Sequence, residues 1–403
     1  MASSWVSNIG DGVAIAAGPL LVASETHDPV LVALAALLQR VPWLLFGLHA
    51  GVAADRLDRR RLVVLVDLAR AGVLGTLAIS IATGQVNVTV VLVAMFVLGT
   101  AETFADVTTN TLLPMLVAPV DLGVANSRLM FGFITANQLI GPPLGALLFA
   151  AGRSIPFVTQ GVLVAAGALL VSRIVAPLPE RHDVPSSPRR QIAEGLRWLW
   201  GNPPVRTLTL TILAFNITFG AAWAVLVLYA SERLGLGDVG FGLLTTASAL
   251  GGVLGAWGYS WIERRVSLAD IMRIGLIIET LTHLTLALTR LPAVAMATMF
   301  VFGVHTAAWG TTSTSIRQRA VPREFQGRVA SVYMVSVHGS IVVGSAIGGV
   351  VARFTDVTGP FWFAFVGSAV ILALIWRELG HIAHTDRERT TATVTEREQR
   401  GAT

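Results

Sequence analysis

An all-α membrane protein, with about twelve transmembrane helices in two pseudo-symmetric six-helix bundles, is the fold that this sequence predicts. Three observations support it. Of the 403 residues, 54% are hydrophobic and 13% are charged, whereas about a quarter of the residues in a soluble domain are charged. Apolar runs of about 20 residues recur along the chain, and one motif recurs after half of its length. This composition excludes an ordinary soluble fold.

Each apolar run is long enough to cross a bilayer as a helix. At a rise of about 1.5 Å per residue, about 20 residues span a hydrocarbon core of about 30 Å. The first run lacks a basic leader and contains Asp11, so we expect it to be retained rather than cleaved as a signal peptide. The predicted spans are residues 5–23, 30–54, 62–83, 86–113, 129–151, 156–176, 208–229, 240–261, 268–288, 292–312, 329–352 and 361–376.

A polar segment divides these spans into two sets of six. Residues 177–206 form the longest polar stretch inside the chain, and residues 191–200 within it carry apolar side chains at helical spacing. We therefore expect an N-terminal bundle over 1–176, a cytoplasmic linker over 177–206 with an amphipathic helix at the membrane surface, and a C-terminal bundle over 207–377. The composition of residues 378–403 predicts a polar, disordered cytoplasmic tail.

The positions of the arginines predict the orientation. All 29 basic residues are arginines, and loops rich in positive charge stay in the cytoplasm during insertion. One set of alternating loops is rich in arginine, and the opposite set holds only Arg153, Arg233, Arg290 and Arg353. We therefore expect a plasma (inner) membrane protein with both termini in the cytoplasm. Because the arginines lie in short loops rather than on one soluble face, they do not indicate a nucleic-acid partner.

An internal repeat indicates two related halves. The sequence Gly141-Pro-Pro-Leu-Gly145 matches Gly344-Ser-Ala-Ile-Gly348, which lies 203 residues later. Repeated halves around a midplane cavity are the architecture of many secondary transporters, in which the halves rock so that the cavity faces each side in turn.

A charged loop joins the second and third spans. It resembles the loop signature of the major facilitator superfamily of secondary transporters and reads Gly51-Val-Ala-Ala-Asp55-Arg56-Leu-Asp58-Arg59-Arg60-Arg61. The resemblance implies that Asp55 caps the start of the eleventh span, near Val329, and so latches the two halves in an outward-open state. The implied gating residues are Gly51, where close helix packing needs glycine, and Asp55, Arg56, Arg59 and Arg60. The alternative is ordinary retention of positive charge in a cytoplasmic loop.

Three polar residues fall on one face of the fourth span. Glu102, Asp106 and Asn110 are spaced four residues apart, and residues at i and i+4 share a helix face. Ionisable groups at membrane depth are costly and tend to line a functional cavity. Glu102 is therefore the first candidate for coupling protons to transport, and Asp106 is another. The alternative is a structural ion pair of Glu102 with Arg59, Arg60 or Arg128.

Further charged residues lie within apolar spans. The resemblance implies that the first and fourth spans line the cavity, so Asp11 and Glu102 are expected to face the same water. Arg40, about 15 Å below the start of the second span, keeps its charge and needs a carboxylate or an anionic ligand. Asp67 and Arg70 have the spacing of a local structural ion pair.

The fifth span and the second half supply the remaining candidates. Gly141, Pro142 and Gly145 resemble the Gly-Pro motif of antiporters in the superfamily, although Asn137 and Ala146 stand where that motif has glycine. A kinked helix without this role is the alternative. In the second half, His305 occupies the repeat position of Glu102, and Glu279 and His283 are four residues apart. These residues predict either a second proton site or a hydrogen bond between helices.

Proton-coupled export of an amphiphilic small molecule by a monomeric antiporter is the leading functional hypothesis. Three segments resemble the bacterial branch that contains siderophore exporters and macrolide-type efflux proteins: Ser7-Asn-Ile-Gly-Asp-Gly12, Ala54-Asp-Arg-Leu-Asp-Arg-Arg-Arg61 and Glu194-Gly-Leu-Arg-Trp198. A proton-linked importer is the first alternative, followed by a multi-span lipid-modifying enzyme and a non-transporting receptor. The sequence has no cysteine and no nucleotide-binding loop, metal-ligand cluster or catalytic triad, so we expect neither an ATP-driven pump nor an enzyme, and neither a cofactor nor a metal. The expected partners are the substrate, protons and the lipid bilayer.

Overall fold

The computed structural model describes residues 2–117, 121–174, 188–322, 325–376 and 378, and most of them are helical. Among these residues, eleven helices are long and apolar enough to cross a membrane, and Gly359–Ile375 is a shorter apolar helix. The predicted all-α membrane fold is therefore confirmed. The helices are α1 (Ala2–Glu25), α2 (Pro29–Arg56), α3 (Arg59–Ala82), α4 (Val88–Leu116), α5 (122–151, in three segments), α6 (Ile155–Ser172), α7 (Pro188–Trp200), α8 (Pro203–Trp223), α9 (Asp238–Glu263), α10 (Leu268–Leu288), α11 (Pro292–Ala320), α12 (Gln326–Phe354) and α13 (Gly359–Ile375).

Short polar side chains fix where several of these helices begin. Asp28, Asp58 and Asn87 each accept a hydrogen bond from a backbone N–H in the first turn of α2, α3 and α4. The first N–H groups of a helix have no partner within the helix, so such a cap satisfies one of them. The polar loops between apolar runs therefore set the starts of the helices at the membrane boundaries.

Helix α5 changes its winding in the middle. It consists of Leu122–Gly132, a π-helical segment Phe133–Ile140, and Gly141–Ala151. Pro142 and Pro143 lack a backbone N–H, so the carbonyl groups of the preceding turn cannot keep the regular α-helical bonds. The N–H of Gly141 instead donates to the carbonyl of Ala136, five residues earlier. The predicted distortion at the Gly-Pro segment is thus a π-helical segment on its N-terminal side.

Corresponding glycines pack the two halves in the same way. A Cβ at Gly145 of α5 would collide with the backbone of Val13 in α1, and a Cβ at Gly348 of α12 would lie 2.7 Å from Cα of Ala221 in α8. In each half, therefore, the fifth span packs closely against the first. The predicted pseudo-symmetry is visible in this contact.

One face of the molecule is closed by contacts between the halves. We call it the arginine-poor face, and it contains the α1–α2 and α3–α4 loops. A buried apolar cluster there includes Leu21 and Phe149 from the first half and Tyr229 and Phe361 from the second half. Asp28, which caps α2, also forms an ion pair of 3.8 Å with Arg353 at the end of α12.

The opposite, arginine-rich face contains the α2–α3 loop. The apolar clusters of described residues near this face each stay within one half. Val63, Leu112 and Val171 belong to the first half, whereas another cluster joins α7, α8 and α12 through Leu199, Val205, Val321, Val329 and Val332. Among the described residues, no apolar cluster closes this face as one closes the arginine-poor face.

The predicted amphipathic helix is α7, which begins three residues earlier than expected. Leu199 is buried against the start of α12, and the ring of Trp198 stacks on Phe325 with 5.7 Å between the ring centres. The rest of the linker (175–187) and the tail after Glu378 lie outside the described residues, so their predicted character stays a prediction.

Candidate functional site

A cavity of about 420 Å³ lies between the two halves, near the middle of the helices that line it. Most of its wall comes from the first half, and α12 supplies the part from the second half. All four predicted coupling or cavity residues, Asp11, Arg40, Glu102 and Asp106, line it. The remaining polar or aromatic lining consists of Gln39, Trp43, Arg70, Phe133, Asn137, Gln138, Phe157, Gln160 and His338.

Close packing of α1 on α5 places Asp11 at this cavity. Gly141 and Gly145 meet the backbone of Gly12 and Val13 in that contact, and Pro142 is buried as well. Asn137 in the π-helical segment is also buried, and its side-chain carbonyl accepts a hydrogen bond from Gln138 Nε2 at 3.0 Å. The altered winding of α5 thus aims two amides at the space beside Asp11.

Close packing of α2 on α4 places Arg40 beside Glu102. A Cβ at Gly99 would lie 3.1 Å from Cα of Gln39, so only glycine permits this approach without a shift of the helices. Gln39 and Arg40 follow one another on α2, and Glu102 lies about one turn beyond Gly99 on α4. The guanidinium and the carboxyl group therefore line the same end of the cavity.

Glu102 and Asp106 both line the cavity, as expected for residues four apart on one helix face. Glu102 is half-buried, whereas Asp106 and Arg40 are exposed to the cavity although helices surround them. The side chain of Asn110, the third predicted member of this face, lies outside the described residues.

Arg70 of α3 contacts two carboxylates, one on its own helix and one on α1. Its Nη1 lies 3.3 Å from Oδ1 of Asp67 on α3, which confirms the predicted local pair. Its Nη2 also lies 2.5 Å from Oδ1 of Asp11 on α1. Arg70 is only 4% exposed, so both carboxylates offset the cost of burying its charge. The contact with Asp11 was not predicted, because sequence spacing indicates only the partner on the same helix.

The structure does not place Glu102 in the ion pairs considered as its alternative role. Arg59 donates to the carbonyl of Ala54 at 2.8 Å, and Arg60 donates to the carbonyl of Ile174 at 3.0 Å. Among the described residues, Glu102 forms neither an ion pair within 4 Å nor a hydrogen bond. Arg128 is exposed on the first segment of α5.

The charges around the cavity do not balance. Four carboxyl groups, those of Asp11, Asp67, Glu102 and Asp106, face the two guanidinium groups of Arg40 and Arg70. If all of them were ionised, the site would carry two excess negative charges, because four minus two is two. Charge at membrane depth is costly. The site is therefore suited to bind protons or a cationic group.

His338 and Trp43 form the contact between the halves at this cavity. Their rings stack with 4.8 Å between the centres and an angle of 15°. His338 Nδ1 lies 2.9 Å from the carbonyl of Met334, so this nitrogen is the donor. Sequence analysis did not single out His338, Gln138 or Gln160. A polar residue inside an apolar span was the available signal for each of them.

The gating loop is only partly described. The side chain of Asp55 lies outside the described residues, Arg56 is exposed, and Arg59 and Arg60 make the backbone contacts given above. Among the described residues, no atom lies within 4 Å of a Cβ placed on Gly51, so the close packing expected there stays a prediction. Since the proposed latch belongs to an outward-open state, it stays a prediction.

Comparison with known proteins gives a consistent result. A family model described as transmembrane secretion effector matches residues 1–396. The chain is 26% identical over 345 residues to the multidrug efflux pump Tap of Mycolicibacterium fortuitum, which is 82% of each chain. It is 24% identical over 392 residues to the enterobactin exporter EntS of Salmonella choleraesuis (strain SC-B67), covering 94% of this chain and 92% of the relative.

The fold also matches solved transporter structures. A bacterial homologue of the iron transporter ferroportin, in an inward-facing state, aligns with a TM-score of 0.74 and 16% identity. The alignment covers 94% of this chain and 97% of that one. At this level of identity, the likeness shows a shared fold.

Proposed function

The chain belongs to the transmembrane secretion effector family of the major facilitator superfamily, and from this premise we propose that it exports an amphiphilic small molecule in exchange for protons. The observation that carries the proposal is the excess of carboxyl over guanidinium groups at the cavity: Asp11, Glu102 and Asp106 line it with Arg40 and Arg70, and Asp67 adds a fourth carboxyl group behind Arg70. Such a site can be neutralised by protons from one side or by a substrate from the other. Competition of this kind is the basis of antiport.

We place the protein in a bacterial inner membrane with the arginine-rich face and both termini in the cytoplasm. The distribution of arginine supports this orientation, because positive loops are retained inside. The contacts between halves at the arginine-poor face then correspond to an inward-facing state. In this state the cavity receives substrate from the cytoplasm, and rocking of the halves releases it outside.

Glu102 is the proposed proton carrier. It faces the cavity, it has no ion pair among the described residues, and it lies near Arg40. Arg70, in contrast, is held by Asp11 and Asp67. A carboxyl group without a fixed partner can gain and lose a proton as the water around it changes, because no ion pair has to break first. Asp106 and Asp11 are the next candidates.

Export is favoured over import because the relatives described above are named as an efflux pump and an exporter. The Gly-Pro segment of α5, which resembles an antiporter motif, supports the same direction. We further propose that the protein works as a monomer within the lipid bilayer and that it is not an enzyme. The substrate is of the drug, siderophore or secondary-metabolite type.

The decisive experiment uses inverted membrane vesicles that contain the protein. An imposed proton gradient should drive accumulation of a substrate found from a panel of macrolides, cationic dyes and catechol siderophores. Glu102→Gln should abolish this accumulation while leaving substrate binding intact, because glutamine retains the shape of the side chain and cannot bind the proton. The matched control is Glu232→Gln, which changes an exposed acid outside the cavity and should transport normally.

Two results would count against the proposal. Normal accumulation by well-expressed Glu102→Gln would exclude Glu102 as the proton carrier. Accumulation only in right-side-out vesicles, and none in inverted ones, would favour the importer.

A further inference from the structure

The second half contains a buried acid that the transport cavity does not use. Glu279 lies on α10 and is 9% exposed. Its Oε2 lies 3.5 Å from Nε2 of His305 on α11, which is 6% exposed. A carboxylate buried inside a helical bundle is costly unless a positive charge or a proton accompanies it. The charge of Glu279 therefore has to be balanced by a group that lies close to it.

The internal repeat indicates which residue would be expected to balance the charge of Glu279. Asp67 and Arg70 of α3 recur 203 residues later as Asp270 and Arg273 of α10. In the first half, Arg70 reaches Asp11 in addition to Asp67. In the second half, Arg273 pairs with Asp270 at 3.5 Å, and its guanidinium lies 5.2 Å from the ring centre of Trp376. Arg273 thus points away from Glu279, which is six residues, or about 9 Å, further along the helix.

The other packed helices supply no further positive charge at this depth. Helix α13 has no titratable side chain, and α8 has only Arg206 near its start. Helix α9 contributes Asp238 and Glu263 at its ends and Tyr259, whose hydroxyl bonds Thr312 at 3.1 Å. On α11 the arginines are Arg317 and Arg319, and Arg317 is twelve residues, or about 18 Å, beyond His305. His305 is therefore the group that can balance Glu279.

We propose that Glu279 and His305 form a second proton-binding site, in the C-terminal half, at the position that the repeat relates to Glu102. His305 and Glu102 are 203 residues apart, the same offset as the glycine motifs. With one proton, the pair is either imidazolium and carboxylate or neutral imidazole and carboxylic acid, and its net charge is zero. Release of that proton to water leaves a carboxylate and a neutral imidazole, with a net charge of minus one. This inference deepens the proposed function, because it would add a second proton to each transport cycle.

A direct count of bound protons tests the site without any transport. The purified protein in nanodiscs is titrated between about pH 5 and pH 9, the range in which histidine titrates, and the protons released are compared with those of Glu279→Gln, His305→Gln and the double variant. Each single variant should release about one proton fewer than the wild type, since removal of either partner leaves the other unable to hold a charge in the bundle. The double variant should release no fewer protons than either single variant does.

The matched control is His283→Gln. His283 is fully buried one turn from Glu279, neither of its ring nitrogens has a hydrogen-bond partner among the described residues, and its ring lies edge-on to Trp223. A neutral histidine of this kind should contribute no proton, so this variant should match the wild type. Equal proton counts for all variants would overturn the proposal, because the pair would then be a fixed hydrogen bond. Additive losses in the double variant would overturn it as well, since two independent groups would be titrating.

Transport measurements then distinguish failure of this second proton site from failure of the proposed function. With a pH difference of one unit as the only driving force, each coupled proton raises the limiting accumulation of an uncharged substrate about tenfold. The wild type should therefore approach about a hundredfold and Glu279→Gln about tenfold. Glu102→Gln should not accumulate substrate at all, because the proposed exchange depends on a proton and the substrate competing at the cavity, and this variant has lost that proton. Loss of accumulation in Glu102→Gln with no change in Glu279→Gln would refute the second site alone. A normal proton count with no proton-driven transport in the wild type would refute the proposed function alone.

Discussion

The network around Arg70 gives the prediction with the best-defined magnitude. Nη2 of Arg70 lies 2.5 Å from Asp11, and Nη1 lies 3.3 Å from Asp67. At an effective dielectric constant of about 20, these separations correspond to attractions of about 7 and about 5 kcal/mol. Most of this attraction offsets the cost of removing the three groups from water. Breaking a buried pair by removal of one partner usually costs about 3–5 kcal/mol.

Arg70→Gln should therefore destabilise the protein by about 3–5 kcal/mol, because it leaves two carboxylates without their partner. Arg40→Gln is the matched control. Arg40 lies in the same cavity but forms no ion pair within 4 Å among the described residues, so its loss breaks no fixed pair and should cost less than the loss of Arg70. The free energy of unfolding is measured in mixed detergent micelles, with far-UV circular dichroism as the readout. Equal stability of the two variants, or a cost below about 1 kcal/mol for Arg70→Gln, would refute the reasoning.

Three further predictions address the gate, the orientation and the helix packing. If Asp55 latches the outward-open state, Asp55→Asn should reduce the free-energy preference for that state by about 1 kcal/mol. Labelling of an engineered cavity cysteine from outside should then fall. Unchanged labelling and unchanged transport would exclude the latch. A reporter fused after Arg189 should be active only if it is one that works in the cytoplasm, and the reverse result would invert every assigned side. Gly145→Val should destabilise the protein by about 1–3 kcal/mol, because it forces α5 away from α1. Gly72→Val should be tolerated much better, since no atom of the described residues lies within 4 Å of a Cβ at Gly72. Equal costs for the two glycines would contradict the packing argument.

The sequence by itself determined the parts of this protein that depend on neighbouring residues. Apolar runs of sufficient length predicted the membrane helices, because the bilayer imposes the same requirement on every span. The four-residue spacing of Glu102 and Asp106 predicted one helix face, and the three-residue spacing of Asp67 and Arg70 predicted their pair. All of these predictions agree with the structure. They could be made because the geometry within one helix is fixed by its backbone hydrogen bonds.

Only the tertiary structure decided which of these helices meet and at what height. Asp11 and Arg70 are 59 residues apart in the chain, and their contact depends on the packing of the first and third spans. The stacking of His338 on Trp43 depends on how the two halves are tilted toward each other. The pairing of Glu279 with His305, rather than with Arg273, was likewise not evident from the spacing. Contacts of this kind follow from helix crossings, rotations and close approaches at small residues, and these are set by the packing of the whole bundle rather than by any short stretch of sequence.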